Sequence, residues 1–576
     1  MRRLYRWICL VALLAPPLAY GASVTVQVDG VSDKPKANVL AMLAIAQVQG
    51  QKDLTPGRIR YLNAQAPAQI RKALEPFGYY RAQVRTDLKP GKEQWTVTYH
   101  VEPGQPIPVT TVDVKLTGPG RNDGALQKAV RSFPIHKGDA LDQPRYEQAK
   151  GALQQRALSL GYLDARFSEH ELRLNLQTYQ ATLLLTLNTG PRYRFGQVSF
   201  SGSKLSPKFL HRYVPFSTGD HYSSAKLLAL QQGLQNSDYF QSVNIQPRQD
   251  QARNQEVPIQ VQLQPRKPQK YTLGLGYGTD TGPRASVGWE ERRLNRYGHK
   301  MQAHYRISRI YREASVRYII PLAHPATDQL DFTAAVRNQT VNDQVSKTRT
   351  IGVSRLVTHG TVQQTLSLNY QNETFSVGNT SGVSRLLIPG YNWTRINADD
   401  RIYTHHGSRV TLDLRGALRG VASDTSFVRA DLGAKVIRSL GVNNRFIVRG
   451  EVGAIHVPDF NVLPVSLRFF AGGTHSVRGY AYNSLGPTDS SGAVVGGQYL
   501  MTGSVEYDRH IVGRWGAAVF YDAGNAFDTF PTHLHRGAGV GVRWRSPVGM
   551  VRVDVATALS EPGHPVRLDI SIGPDL

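Results

Sequence analysis

From Arg266 to the end of the chain, 311 residues read as one short alternating segment after another. Val410, Leu412 and Leu414 alternate with Arg409, Thr411, Asp413 and Arg415. Val428, Ala430, Leu432 and Ala434 alternate with Arg429, Asp431 and Lys435, and Val551, Val553 and Val555 alternate with Arg552 and Asp554. Successive side chains of a strand point to opposite faces, so each segment has one apolar and one charged side. A soluble sandwich turns the apolar side inward, whereas a transmembrane barrel turns it to lipid and lines its lumen with the charges. So many strands in one unbroken region favour the barrel, because only a closed barrel pairs every backbone group within lipid. At roughly 19 residues per strand and connection, residues 266–576 predict an antiparallel transmembrane β-barrel of about 16 strands.

The N-terminus agrees with an address outside the cytoplasm. Arg2, Arg3 and Arg6 precede the apolar run 8–15, and Pro16, Pro17 and the small-residue stretch 19–22 follow. That order predicts a secretory signal peptide over 1–22. Cys9, the only cysteine, falls inside it, so the mature chain is expected to form no internal disulfide and no cysteine-ligated metal site. Beyond the first 20 or so residues no apolar run reaches about 18, the length a spanning helix needs. The formal charge is +25, with 40% hydrophobic and 19% charged residues. The basic residues are spread through both halves and interleaved with acids. This reads as a generic basic surface, with anionic lipid headgroups as a second reading, and not as the concentrated patch of a nucleic-acid binder.

Between leader and barrel the chain repeats itself. Phe77-Gly78-Tyr79-Tyr80, Leu160-Gly161-Tyr162-Leu163 and Ser237-Asp238-Tyr239-Phe240 each precede a strand, at 82–85, 165–167 and 242–245. Second strands follow at 95–101, 182–187 and 258–263. Each copy opens on a strand that ends in glycine, Gly30, Gly118 or Gly202, spaced by 88 and 84 residues. Two helical stretches lie between opening strand and tyrosine, clearest at 207–214 and 223–236. The order β-α-α-β-β predicts three small α+β units, 23–105, 106–190 and 191–265, each with helices over one face of a three-stranded sheet. These units resemble POTRA domains, the periplasmic modules of outer-membrane assembly proteins. The resemblance implies a free sheet edge that receives partner or client strands by backbone pairing.

A longer connection carries Val477-Arg478-Gly479-Tyr480. On the next strands, Thr502, Ser504, Glu506 and Asp508 share one face, as do Phe520, Asp522 and Gly524. If Val519 and Tyr521 meet lipid, Asp522 and Glu506 point into the lumen. A loop folded into that lumen could set the Arg478 guanidinium against both carboxylates, a task its rigid fork suits. The plainer alternative is that the acids line a wet pore. Val477-Arg478-Gly479-Tyr480 is similar to the lumenal-loop motif of the POTRA-barrel superfamily, and Phe520-Tyr521-Asp522-Ala523-Gly524 to its partner-strand motif. That resemblance implies that Asp522 and Glu506 hold Arg478. Three repeats before a barrel of this length resemble the TamA branch, the outer-membrane subunits of the translocation and assembly module. Gly276-Tyr277-Gly278-Thr279-Asp280 and Gly282-Pro283-Arg284 look like the opening of that branch's barrel.

Both edges of the closing seam look weak. The first strand carries Gly274, Gly276 and Gly278, and Gly573-Pro574 breaks the last one, because proline donates no ladder hydrogen bond. A weak seam reads either as a lateral gate or as glycine packing. The resemblance implies a barrel in the outer membrane with its POTRA domains in the periplasm. It implies as partners a TamB-like protein anchored in the inner membrane, unfolded outer-membrane protein clients and outer-membrane lipids, and it extends to a role in moving phospholipid. The alternatives are a two-partner secretion pore and a passive porin with binding modules. No nucleophile elbow, zinc-protease helix or phosphate loop occurs. Gly537, Gly539 and Gly541 lie in an alternating strand, and His405 and His406 have no ligand partners at helical spacing. No catalytic site, cofactor or metal is expected.

Overall fold

The computed structural model describes residues 22–530, 532–547 and 549–576. The expected signal peptide, apart from Ala22, lies outside the described residues. Among the described residues no helix is long and apolar enough to cross a membrane. The chain divides into two units. One holds the described residues through Gln197 with Phe216–Leu228 and Pro247–Ile259, and the other holds Val198–Pro215, Ala229–Gln246 and Gln260–Leu576.

The first repeat runs β1 (Ser23–Asp29), α1 (Asp33–Met42), α2 (Ala44–Gln47), α3 (Pro56–Leu74), β2 (Gln83–Lys89) and β3 (Gln94–Glu102). The second runs β4 (Val109–Thr117), α4 (Gly124–Arg131), α5 (Gln143–Ser159), β5 (Arg166–Asn175) and β6 (Gln180–Asn188). The third runs β7 (Arg194–Ser201), α6 (Pro207–His211), α7 (Ser224–Asn236), β8 (Phe240–Pro247) and β9 (Glu256–Pro265). Each makes a three-stranded sheet with the last strand in the middle, in the orders β1-β3-β2, β4-β6-β5 and β7-β9-β8.

Local chemistry explains the helices. Thr55 caps α3 by accepting from the Arg58 amide, and Asp142 caps α5 by accepting from the Arg145 amide. The buried positions Ile59, Leu62, Ala66, Ile70 and Ala73 recur every three or four residues along α3, and pack on Val24, Val97 and Tyr99 of the sheet. One repeat position has a conformational cause. Gly78, Gly161 and Asp238 all take left-handed φ values, +84°, +97° and +61°, where the chain leaves its helical segment for the tyrosine. Glycine adopts that region freely, and aspartate is among the few other residues that tolerate it.

Sixteen strands follow: β10 (Gln269–Gly278), β11 (Gly282–Glu291), β12 (Lys300–Ser308), β13 (Tyr311–Pro321), β14 (Asp328–Val341), β15 (Gln344–His359), β16 (Val362–Val377) and β17 (Thr380–Ala398). The second half comprises β18 (His406–Ala417), β19 (Phe427–Leu440), β20 (Asn444–His456), β21 (Tyr499–Val512), β22 (Trp515–Phe527), β23 (His535–Ser546), β24 (Gly549–Ala558) and β25 (Val566–Gly573). They form one antiparallel sheet in sequence order, curled into a nearly closed barrel. The strand alternation sorts side chains as the sequence requires. Leu275, Val519, Tyr521 and Val540 are exposed on the outer wall, while Ser504, Glu506, Asp522 and Asp554 are buried on the inner one. Between β9 and β10 the connection is pinned by Arg292, which donates to Asp238 at 2.7 Å and to the carbonyls of Lys267 and Gln269.

Candidate functional site in the barrel lumen

Residues 457–498, between β20 and β21, fold into the lumen. Short pairings such as Phe469 with Gly497 and Ala471 with Leu485 shape this loop. Val477 and Tyr480 pack in an apolar cluster with Leu386, Ile455, Phe469 and Leu500, so apolar burial anchors the loop on both sides of Arg478.

Arg478 is only 4% exposed. Its Nε donates to Asp522 Oδ2 at 2.8 Å and its Nη2 to Asp522 Oδ1 at 2.9 Å, a two-pronged grip. Nη1 donates to Glu506 Oε2 at 2.6 Å and to Asp554 Oδ2 at 3.1 Å, and the Arg478 backbone amide donates to Asp522 at 3.0 Å. The guanidinium lies 3.4 Å from the centre of the Phe520 ring, so the aromatic face covers the side the acids leave open. The strand register prepares this arrangement. Ser504 stands opposite Asp522 and Glu506 opposite Phe520 across β21 and β22, all facing inward. Gly537 on β23 stands opposite Asp522. A Cβ there would sit 2.1 Å from the Arg478 carbonyl oxygen, so only glycine lets the loop come this close.

The structure therefore brings Val477, Arg478, Gly479, Tyr480, Glu506, Phe520 and Asp522 together, with Gly524 packed against Met501 and Thr502 on the same wall. Sequence reading missed the size of the cluster. Arg543 bridges Glu506 at 2.8 Å and also bonds Asp554. Arg445 joins Asp508 at 2.7 Å to Asp575 at 2.5 Å, and Arg552 adds a second bond to Asp575 at 2.5 Å. Alternation places Arg543, Asp554 and Asp508 on the inner face, so that signal was present for them. Asp575 had none, because it lies beyond the proline that ends β25.

Pro574 turns the tail off the sheet, and Asp575 is 3% exposed. Its carboxylate also accepts from the Thr404 amide at 3.0 Å, and its carbonyl accepts from Lys435 at 2.7 Å. At the seam, β10 and β25 share no ladder; the sheet order runs from β10 to β25 without joining them. The bridging bonds gather near one end of β10. The Thr279 amide donates to the Ile570 carbonyl at 3.1 Å, the Ile570 amide to Thr279 Oγ1 at 2.8 Å, and Arg567 to Asp280 at 3.1 Å. Gly274 and Gly276 sit against Ser286 and Arg284 of β11, and Gly573 ends β25. The lumenal loop holds both edges. Thr474 donates twice to Asp280, at 2.8 and 2.7 Å, and the Gly479 amide donates to Asp569 on β25 at 3.2 Å.

Residues 267–573 match the Omp85 superfamily domain, 25–103 match the first POTRA domain of TamA, and 193–266 match the surface antigen variable number repeat of the POTRA type. The outer membrane protein assembly factor BamA of Nitratidesulfovibrio vulgaris is 28% identical over 165 residues, 27% of this chain and 21% of that protein. The chain thus aligns with only about a fifth of the curated relative. The crystal structure of BamA from Haemophilus ducreyi lacking POTRA domains 1–3 is similar at a TM-score of 0.66 and 15% identity, covering 80% of this chain and 99% of that one. CdiB from Acinetobacter baumannii gives a TM-score of 0.45 at 14% identity, over 81% and 90% of the two chains. At 15% identity, the likeness to the Haemophilus ducreyi structure speaks to fold alone.

Proposed function

The chain belongs to the Omp85 superfamily, and from that premise we propose that it is the outer-membrane subunit of a translocation and assembly module, working beside a TamB-like inner-membrane-anchored partner. Its barrel inserts and assembles β-barrel proteins and autotransporters in the outer membrane. Its three small domains lie in the periplasm, and their open sheet edges receive the partner and unfolded clients by strand addition. Outer-membrane lipids, phospholipid included, are a second cargo on this reading.

The observation that carries the proposal is the unladdered seam. An edge with unpaired backbone groups is a template for a further strand, and here β10 and β25 are held by a few bonds at one end and by the lumenal loop. Client strands pair with β10 as the seam parts. Arg478 keeps the loop docked, so that the two edges stay in reach of each other between insertion events. The test is a disulfide across the seam, from Thr279→Cys and Ile570→Cys. Client insertion into proteoliposomes should stop on oxidation and return on reduction. Insertion that survives complete crosslinking overturns lateral opening, whereas export of a soluble substrate through the crosslinked barrel would identify a secretion pore.

A further inference from the structure

On the outer wall, away from the lumenal cluster, four cations gather on two cross-strand rows. In one row Arg312 of β13 stands opposite Asn338 of β14, Asn338 opposite Lys347 of β15, and Lys347 opposite Thr374 of β16. In the next, Ala314, Val336, Arg349, Asn372 and Arg385 follow one another from β13 to β17. Both rows face outward, because they alternate with inward residues such as Ser346 and Glu373 and share their side with exposed Val336 and Ile351. Arg385 has Asp424 at 3.5 Å. Arg312, Lys347 and Arg349 are exposed and have no ion-pair partner among the described residues.

Directly beside the second row the wall sinks into a groove of about 780 Å³, floored by Ala314 and Ala334 and walled by Tyr305 and Ile351. Arg349 and Asn372 stand at one end of it. Lys347 and Arg349 are two positions apart on the outward side of β15, and Arg312 lies one strand away across β14, so their like charges add up on one patch of wall. A cation on the lipid face of a barrel is costly at mid-membrane and tolerated only near the headgroups. The pattern makes sense when an anion with several negative oxygens sits on the rows. Guanidiniums match phosphate oxygens in geometry and charge, and the small floor residues leave room for hydrocarbon.

We propose that this face binds a membrane glycolipid carrying more than one phosphate, with its headgroup on Arg312, Lys347 and Arg349 and an acyl chain in the alanine-floored groove. The rows lie toward the rim opposite the one where the chain enters at β10, the end closed by the β14–β15 turn. With the small domains in the periplasm that rim meets the outer leaflet. This placement rests on the reading given above, whereas the site itself does not.

The test uses the full chain in detergent, incubated with diphosphoryl lipid A, phosphatidylglycerol or phosphatidylcholine, with retained lipid counted by native mass spectrometry. Lipid A should be retained in preference to both others. Its retention should fall about tenfold in the double variant Lys347→Gln, Arg349→Gln, the loss expected for charged hydrogen bonds. Ala334→Phe, which fills the groove, should lower it too, and Arg355→Gln, at the far end of β15 and paired with Asp328, should leave it unchanged. Should the double variant not fold, Arg312→Gln provides the same comparison. Undiminished retention in these cation variants, or phosphatidylglycerol held as well as lipid A, overturns the proposal. Client insertion plays no part in this assay, so its failure is separable from failure of the assembly reading.

Discussion

At the scale of single residues, Arg478 is the member whose loss the cluster can least absorb. Truncating one partner of a buried charge network leaves the others unneutralised and typically costs about 3–5 kcal/mol. Arg478→Ala strands Asp522, Glu506 and Asp554 together, with Arg543 and Arg449 the guanidiniums still near them. The expected outcome is a barrel that still shifts on a heat-modifiability gel, a loop 457–498 newly open to protease, and reduced client insertion; a loop as protected as in the wild type would refute the docking role. Phe520→Leu removes the ring beneath the guanidinium and should cost less, about 0.5–2 kcal/mol, read as a smaller drop in thermal midpoint. Asp238 gives a pH signature outside the membrane. Burial pushes its carboxyl up, but the Arg292 hydrogen bond with the charges of Arg292, Arg266 and Lys270 outweighs that, and the group sits below its ordinary 3.8. A depressed folded value contributes stability that is whole above the ordinary aspartate range and lost as pH falls through the folded value. Asp238→Asn keeps the left-handed backbone tolerance while removing the charge. Its destabilisation should be visible near neutral pH and vanish well below the ordinary aspartate range, as followed by unfolding midpoints.

At the scale of elements, the seam and the tail are one construction. β25 stops at Gly573 because Pro574 cannot continue a ladder, and the next residue is drawn inward by Arg445 and Arg552. Asp575→Asn keeps the shape and removes the charge, weakening bonds of a kind worth about 1.5–3 kcal/mol each. The expected result is a more mobile last strand, seen as faster amide exchange at 566–573 than at 549–558. Equal exchange in both strands would mean that the tail does not steady the seam. The alternation of β21 and β22 was legible in Glu506, Asp522 and Val519 because period two needs no tertiary knowledge. The share of Asp554, Arg543 and Asp575 in the same cluster was not, because it depends on which inner-face residues the curled wall brings within reach of one loop.

At the scale of the whole molecule, the proposed role assigns a partner to the three small domains and clients to the barrel. Mild extraction of native membranes should bring the chain down with an elongated inner-membrane-anchored protein; recovery alone, under conditions that preserve other envelope complexes, would count against the proposed partnership. Reconstituted channels should give small, flickering currents, since the loop folds into the lumen and is anchored there by ion pairs, and a large steady conductance would contradict a docked loop. Repeat number, approximate strand count and the two-sidedness of each strand were already determined by spacing and alternation along the chain, because these follow from local backbone geometry; which side faces the lumen was decided by closure into a barrel. The left-handed position shared by Gly78, Gly161 and Asp238 was visible only as a repeated motif until its φ values gave the reason. What the folded molecule alone decided was convergence: that Arg478 reaches three acids on three strands, that Asp280 and Asp569 are tied by one loop across an open seam, and that Arg312, Lys347 and Arg349 share one patch of outer wall. Such contacts join residues far apart in the chain, and their distances are set by strand register and barrel curvature, which no local pattern encodes.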